Sequence, residues 1–174
     1  CSVATTNVAG RLVNVTQSTF AAIGDGLGLA EGGCAVGAGY AVVSGKDFRR
    51  DGQPYINQLF ASLNGGPGGP KADGWASYAG PQSPGSSYRD SVELDEIKHP
   101  VLIKSIRLVP GTGGAGRHRG APPSEITFGP RRDRMTAVIT SDCNHFAPKG
   151  VRGGQDGVLA AAFLVDDEGN EEKL

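Results

Sequence analysis

Residues 100–120 read PVLIKSIRLVPGTGGAGRHRG, an apolar run followed by a glycine-rich segment. Its first ten residues are rich in Val, Leu and Ile, and apolar and polar side chains alternate towards the end of the run, which is typical of a β-strand. Pro110 and the glycines behind it indicate a loop. A strand that runs straight into a glycine-rich loop predicts a domain built from strands and irregular connections.

Other apolar runs predict further strands and one helix. The strands are expected at residues 40–43, 55–63, 125–128, 135–140 and 158–165. Residues 8–23 place Leu12, Val15 and Ile23 at helical spacing, with Asn7 as a candidate cap. We therefore expect an α+β fold in a single domain over residues 1–174, with one N-terminal helix followed by mostly antiparallel β-structure and long glycine-rich loops.

Glycine and proline are unusually frequent, with 28 and 11 residues among 174. Such a composition also occurs in disordered chains. Here it is interleaved with apolar runs, which favours a globular domain rich in loops, the densest being NGGPGGP at residues 64–70. A second irregular stretch covers residues 81–87. Because only six Phe, four Tyr and one Trp are present, we expect a thin core built from Val, Leu, Ile and Ala.

The charge and cysteine content narrow the class of protein. Lys and Arg total 17 and Asp and Glu total 18, which argues against a nucleic-acid or membrane-surface binder. We expect no membrane span, which needs roughly 20 apolar residues, and no signal peptide at the start of the chain. Cys1, Cys34 and Cys143 form neither a disulfide framework nor a CxxC pair, so we expect a cytoplasmic protein.

Residues 111–116, GTGGAG, fit the G-x-G-x-x-G pattern of dinucleotide-binding loops. In those loops a helix follows, and its N-terminal amides bind a pyrophosphate. Here the sequence GAPP at residues 120–123 opposes a helix. The pattern therefore favours a tight glycine turn between two strands, with Arg117 and Arg119 binding neighbouring backbone or carboxylate groups.

Two polar clusters are candidates for acid–base or metal chemistry. The acidic segment at residues 93–96 precedes His99, and grouped carboxylates can transfer protons or bind cations. A solvated charged face is the favoured interpretation. Cys143 and His145 supply two potential zinc ligands, whereas zinc sites use three or four. A polar turn is favoured there.

Asp73, Asn57 and Cys1 are the candidate catalytic residues. Asp73 lies in a glycine-rich loop before Gly74 and Trp75, and Asn57 precedes that loop. Such loops let polar groups approach a ligand closely, although Trp75 can equally cover the core. Cys1, if it is the true terminus, carries a thiol beside an α-amine, as N-terminal nucleophiles do. The alternative for Cys1 is an ordinary chain end created by processing or cloning.

The glycine pattern as a whole resembles the C-terminal part of the hydantoinase B/oxoprolinase family. Residues 113–120, GGAGRHRG, closely match the family's SGGAGR-x-RGG run, and residues 91–96, SVELDE, match its PVE-x-LE segment loosely. Residues 147–154, APKGVRGG, resemble its P-x-G-x-x-GG loop, and residues 65–74 resemble its glycine-rich region ending in Asp-Gly. Thr112 departs from the pattern. The resemblance covers nearly all of the chain.

This resemblance implies a B-type subunit of an N-methylhydantoinase, 5-oxoprolinase, caprolactamase, or acetone or acetophenone carboxylase. It implies a hydantoinase A-type partner that binds ATP and phosphorylates an amide or enol oxygen, after which the B-type subunit completes hydrolysis or carboxylation. It also implies a divalent metal, Zn or Mn, held by His and Asp. Since His99, His118 and His145 lack H-x-x-D spacing, we expect ATP and the metal on partner chains and no metal or cofactor on this one.

The chain is therefore expected to complete a B-type subunit of a multi-subunit, ATP-dependent enzyme for a small-molecule substrate and to be inactive alone. Its glycine loops are expected to line the reaction chamber. Two alternatives remain open: a non-catalytic β-rich binding or structural module, and a hydrolase that uses Cys1 as an N-terminal nucleophile.

Overall fold

The structure, a computed structural model, describes residues 40–61, 64–78, 88–141 and 143–174, together with positions between 8 and 23 that are all helical. These positions are Val8, Leu12, Val13, Val15, Thr16, Thr19, Phe20 and Ile23. Two of their hydroxyls bond along the helix, Thr16 Oγ1 to Leu12 O and Thr19 Oγ1 to Val15 O, each at 2.8 Å. The other residues of the helix predicted over 8–23, the stretch 81–87, Cys1 and Cys34 lie outside the described residues.

The described elements are mostly short strands. In chain order they are β1 (Tyr40–Asp47), a 3-10 helix (Phe48–Arg50), β2 (Gln53–Leu59), α1 (Val92–Lys98), β3 (Val101–Leu108), β4 (Ser124–Pro130), β5 (Met135–Thr140), β6 (Phe163–Val165) and β7 (Glu171–Lys173). Every strand pairing among these elements is antiparallel. The predicted α+β class with mainly antiparallel strands is confirmed.

β1 is the central strand of a sheet with the order β2-β1-β5. Val43 is opposite Asn57 in β2 and Ala137 in β5. Because side chains alternate across a strand, Val43 faces the core while its neighbours Val42 and Ser44 point to the opposite face. The face of the sheet that carries Val43 therefore packs inside the domain, and the face that carries Val42 and Ser44 points away from the core.

Asp47 shapes the connection between β1 and β2. Its buried carboxylate accepts hydrogen bonds from the Arg49 backbone N–H at 3.0 Å and from Arg49 Nε at 2.9 Å, and so caps the 3-10 helix. Asp51 and Gly52 follow with φ values of 53° and 74°, the left-handed conformation that reverses the chain into β2.

β3 and β4 form a second antiparallel pair that runs from Val101 opposite Pro130 to Leu108 opposite Ser124. Its register shifts between Ile103 and Ser105. The loop between the two strands carries the glycine motif, so the strand ends fix where that motif begins and ends. β6 and β7 form a separate two-stranded hairpin.

The apolar run at residues 158–165 was predicted as one strand, but only Phe163–Val165 is a strand. The backbone N–H of Ala160 instead donates to Cys143 O at 3.0 Å. Residues 158–161 line a cavity described below rather than joining a ladder. Residues 158–161 are therefore apolar because they line the cavity, and not because they pair with another strand.

The core is thin, as the composition predicts. Ala41, Val43, Leu59 and Val101 form its buried cluster. Partly buried side chains pack against this cluster, namely Tyr55, Ile103, Phe128 and Met135. Within the described part of the chain many large apolar side chains are exposed instead, among them Ile56 at 72% and Phe146 at 83%. The domain thus leaves much apolar surface without an internal partner.

Candidate functional site

The candidate site lies where three glycine-rich segments meet. We call them the first loop (residues 64–75), the second loop (109–123) and the third loop (148–157). Together with residues 158–161 they enclose most of a cavity of about 470 Å³. A cavity of this size is within the range of small-molecule sites.

Backbone hydrogen bonds join the first loop to the second. Ala121 N donates to Gly66 O at 2.9 Å, and Gly74 N donates to Arg119 O at 2.9 Å. The first loop is also closed on itself, since Gly66 N donates to Trp75 O at 2.8 Å. The two loops therefore hold each other through main-chain atoms, largely independent of side-chain identity.

The third loop attaches to the second through Gln155 N, which donates to Ala115 O at 2.8 Å. Asp156 fixes the third loop internally by accepting a hydrogen bond from Gly150 N at 2.9 Å. Gly157 N donates to Pro148 O at 2.9 Å and closes the loop. The second loop is thus the central member, in contact with both others.

Glycine is required at these contacts because the loop backbones touch. A Cβ added at Gly65 would approach Ala121 O closer than 3.0 Å, and one added at Gly113 would meet Gly120 O in the same way. A Cβ at Gly114 would collide with Gln155 O. Real Cβ atoms do not approach carbonyl oxygens this closely, so these glycines permit packing that no other residue allows.

The G-x-G-x-x-G pattern at residues 111–116 belongs to this packing. No helix follows it within the described residues 117–123, which lead directly into β4. Val109 N donates to Pro123 O at 3.0 Å, and Gly120 N donates to Gly114 O at 3.0 Å, so the loop folds back on itself between β3 and β4. The motif does connect two strands as the sequence favoured, but through a loop that spans residues 109–123 and not through a tight turn.

Asp73 connects the first loop to the second. Its Oδ1 accepts a hydrogen bond from the backbone N–H of Arg119 at 3.0 Å, and its Oδ2 lies 3.4 Å from Arg119 Nε. His118 Nδ1 lies 3.9 Å from Asp73 Oδ1. Arg119 therefore binds a neighbouring carboxylate, as the sequence indicated, and Asp73 has a clear structural role. A catalytic role for Asp73 stays a prediction.

Asn57 lies elsewhere. Its Nδ2 donates to Asp95 Oδ1 of α1 at 3.1 Å. The described residues that line the cavity include neither Asn57 nor Asp73. The structure therefore does not bring these two candidates together, and Cys1, the third candidate, lies outside the described residues. The glycine loops were expected to line a chamber, whereas residues 158–161, which complete the cavity wall, were not identified from the sequence.

Cys143 lies in the cavity wall, whereas His145 does not. Cys143 is half-buried, has a φ of 64°, and forms no disulfide. Within the described residues no three His, Cys, Asp or Glu side chains come together in a way that could hold a metal ion. The residues described here therefore do not fit the divalent metal that the resemblance implies.

The acidic segment forms α1, a helix that the sequence analysis read as a solvated charged face. Ser91 caps it by accepting a hydrogen bond from Leu94 N at 3.3 Å. Glu96 Oε1 accepts from Ile103 N at 2.9 Å and so ties α1 to β3. Asp95 alone is buried, at 7% exposed. The carboxylates thus point to different partners and do not converge on one site.

Asp95 is held in an unfavourable environment for a charge. Burial raises the pKa of its carboxyl group, and the nearby Asp90 raises that pKa further. In the described part of the chain, Asp95 Oδ2 and His99 Nδ1 are both buried without a hydrogen-bond partner. Burial likewise lowers the pKa of His99.

Asp95→Asn is expected to stabilise the α1 region by about 1–3 kcal/mol at neutral pH, because it removes a poorly solvated charge while Asn57 keeps an acceptor. The raised pKa means that Asp95 is neutral in the fold at low pH and that its destabilising effect grows as pH rises from the ordinary carboxyl pKa through the folded one. The gain should therefore shrink towards pH 4. Hydrogen exchange of α1 amides at several pH values measures this.

Glu93→Gln is the matched control on the same helix. Hydrogen bonds from its own backbone N–H and from Ser91 lower the pKa of Glu93. Its substitution should bring no gain at neutral pH. Equal protection of α1 in the Asp95→Asn and wild-type proteins across the pH range would contradict the argument.

No helix among the described residues is long and apolar enough to cross a membrane.

Comparison with known proteins places the chain in a family. The model of the hydantoinase B/oxoprolinase family matches residues 1–174. The chain belongs to this family, and the resemblance inferred from the glycine pattern is confirmed.

Relatives carry names of amide-hydrolysing enzymes. The chain is 30% identical over 118 residues to the caprolactamase subunit beta of Pseudomonas jessenii, which covers 67% of this chain and 20% of that protein. It is 36% identical over 67 residues to the 5-oxoprolinase of Saccharomyces cerevisiae, which covers 37% of this chain and 5% of that protein. A 5-oxoprolinase of Arabidopsis thaliana is 33% identical over 75 residues, 42% of this chain and 6% of that protein. The matched part of this chain spans a fifth or less of each relative.

Proposed function

We propose that this chain forms the C-terminal portion of the B-type subunit of an ATP-dependent, multi-subunit amidohydrolase that acts on cyclic amides. The cavity between the three glycine loops carries this proposal, because it is a small-molecule-sized space in a chain of the hydantoinase B/oxoprolinase family. The loops form one wall of the reaction chamber. The substrate is a small molecule, and the protein is cytoplasmic.

The exposed apolar surface supports the multi-subunit assembly. Ile56 and Val138 project from the face of the β2-β1-β5 sheet opposite the core and are 72% and 54% exposed. Surfaces of this kind are typical of protein interfaces. The partners are the remaining part of the B-type subunit and a hydantoinase A-type subunit, and the name "subunit beta" of the caprolactamase relative supports such an arrangement.

ATP and the divalent metal, Zn or Mn, belong to those partner chains in this proposal. The described residues assemble no set of metal ligands. We therefore assign no chemical step to a metal on this chain. The contribution of this chain is to shape and close the cavity and to present backbone groups to the substrate.

The test uses the complete B-type subunit purified together with its A-type partner. ATP hydrolysis is expected to depend on an added cyclic amide, with the ring-opened product formed in step. ATP turnover that instead requires a ketone and bicarbonate would assign a carboxylase, and the absence of any bound partner subunit would favour a non-catalytic module. Cys1→Ala is expected to leave turnover unchanged, since a nucleophilic Cys1 is not part of this proposal.

A further inference from the structure

Positive charge is concentrated at one end of the β2-β1-β5 sheet. Three segments meet there: residues 46–51, where β1 ends; Lys98, where α1 ends; and residues 131–134, which precede β5. We call them the basic end. They contain seven Lys and Arg side chains and three carboxylates, whereas the whole chain has a net charge of −1. The rest of the chain is therefore net acidic, and the excess of positive charge is local.

Hydrogen bonds to both sides of Lys98 bring the other two segments towards it. Arg49 Nη1 donates to Glu96 O at 2.8 Å, which joins the 3-10 helix to α1. The backbone N–H of Arg131 donates to Pro100 O at 2.9 Å, which joins the β4–β5 connection to the residues that follow α1. All three segments therefore approach the C-terminal end of α1.

The pairing of β1 with β5 brings the two longer segments together directly. Gly45 is opposite Met135, and the strands are antiparallel. Lys46 and Arg134, the next residue on each strand, therefore lie beside each other at the same end of the sheet. The basic end is thus one continuous surface, although its parts are far apart in the sequence.

Most of these cations are not neutralised within the domain. Five of them are exposed and form no ion pair with any residue that the structure describes, namely Lys46, Lys98, Arg131, Arg132 and Arg134. Asp47 engages the other two, since its carboxylate lies 2.9 Å from Arg49 Nε and 3.9 Å from Arg50 Nε. The nearby carboxylates of α1 are engaged elsewhere, because Asp95 is buried and Glu96 binds the backbone of β3.

Exposed apolar side chains accompany the charges. Phe48 in the 3-10 helix is 62% exposed, and Ile97 beside Lys98 is 67% exposed. Five of the seven cations are Arg. Protein interfaces are enriched in aromatic residues and Arg and depleted in Lys, whereas binding to a nucleic-acid backbone depends mainly on the number of positive charges. The composition of the basic end therefore fits a protein surface that carries carboxylates better than it fits a nucleic acid.

We propose that the basic end is the surface through which the B-type subunit binds an acidic surface of its hydantoinase A-type partner. Permanent interfaces are mostly apolar, and the outer face of the β2-β1-β5 sheet has that character. Complementary charge suits two separately folded chains, because it speeds their encounter and fixes their orientation. This inference rests on the proposed function and adds the surface and the chemistry of one partner.

Arg132→Glu/Arg134→Glu tests the inference in the complete B-type subunit, with the A-type subunit purified separately. Both side chains are exposed in the connection between β4 and β5. The charge reversal should raise Kd about tenfold or more, mainly through slower association. Raising NaCl from roughly 50 to roughly 500 mM should slow association of the wild-type subunits about tenfold and that of the variant much less. Stopped-flow measurements of association and dissociation give both rates.

Lys104→Glu/Lys173→Glu is the matched control, because it changes the net charge by the same amount. Lys104 in β3 and Lys173 in β7 are exposed and lie outside the basic end. This variant should keep Kd within about twofold of wild type, since the effect depends on position and not on total charge. At a saturating concentration of the A-type subunit, Arg132→Glu/Arg134→Glu should regain wild-type turnover, which would show that it is folded.

The outcomes separate this inference from the proposed function. An affinity for the A-type subunit that neither salt nor the charge reversal changes would overturn the inference, and ATP-dependent hydrolysis of a cyclic amide by the same complex would leave the proposed function in place. Binding of DNA or RNA that is lost in the charge-reversal variant, with unchanged affinity for the A-type subunit, would also overturn the inference. A salt-sensitive complex that the charge reversal weakens, but that hydrolyses no cyclic amide, would support the binding surface and overturn the proposed function. Absence of any complex between the wild-type subunits would overturn both.

Discussion

Gly113→Ala is expected to lower kcat/KM of the proposed amidohydrolase about 100-fold, because displacement by about 1 Å of the loop wall proposed to enclose the substrate has effects of this size. The added methyl group would lie against Gly120 O, inside the second loop and beside its contact with the first. The atoms that this methyl group would meet belong to the backbone of Gly120 and Ala121, so no flexible side chain can move to make room. The local free energy of unfolding should fall by about 3 kcal/mol. Steady-state kinetics and hydrogen exchange of loop peptides measure the two effects.

Gly129→Ala is the matched control. Gly129 lies in β4, and a Cβ built there meets nothing within 4 Å. This variant should keep kcat/KM within about twofold and stay within about 0.5 kcal/mol of wild type. If Gly113→Ala had as little effect as Gly129→Ala, close packing of the three loops would not be required for activity.

Leu59→Ala is expected to destabilise the β2-β1-β5 sheet by about 3 kcal/mol, as for other large-to-small changes in a core. Leu59 is 2% exposed and belongs to the small buried cluster with Val43 and Val101. Because so few side chains form this cluster, there is little surrounding apolar material to fill the space. Hydrogen exchange of β1 and β2 amides in the isolated chain gives the local free energy of unfolding.

Ile56→Ala makes a similar change three positions earlier on the same strand. Ile56 is 72% exposed on the face away from the core. In the isolated chain its loss should alter β1 and β2 protection by less than about 0.5 kcal/mol. Similar losses of protection for Leu59→Ala and Ile56→Ala would place the core on the wrong face of the sheet.

Local patterns were sufficient to predict most strands. The alternation in residues 100–109 and the β-branched run at 135–140 correspond to β3 and β5. Both segments gain their stability from neighbours on one face, and that requirement leaves a clear mark on the sequence. The strand predicted over residues 158–165 was wrong for its first part, because apolar side chains occur both in strands and in cavity walls.

α1 was not predicted because its seven residues are mostly charged and too few to show a helical stripe. Its cap was the available signal: Ser91 is followed by acidic residues in the first turn and by Lys98 in the last. Because α1 was not predicted, the contact of Asn57 with Asp95 on that helix could not be predicted either. The assignment of Asn57 as catalytic therefore remains an untested prediction.

The glycine segments were predicted to be loops, but the contacts between these loops were not predicted. Gly66 pairs with Ala121, and Ala115 with Gln155, over separations of 40 residues or more in the chain. No local rule relates positions that far apart. The role of Asp73 in joining two loops depends on the same long-range arrangement and was invisible for the same reason.

Main-chain hydrogen bonds make most of the contacts that join the three loops. The side chains that line the space between the loops can therefore change without breaking these contacts. Residues such as Val158 and Phe163 contribute surface to the cavity without taking part in the bonds that join one loop to another. Under the proposed function, variants with altered ring-size preference are therefore best sought at these positions, with the glycines left unchanged.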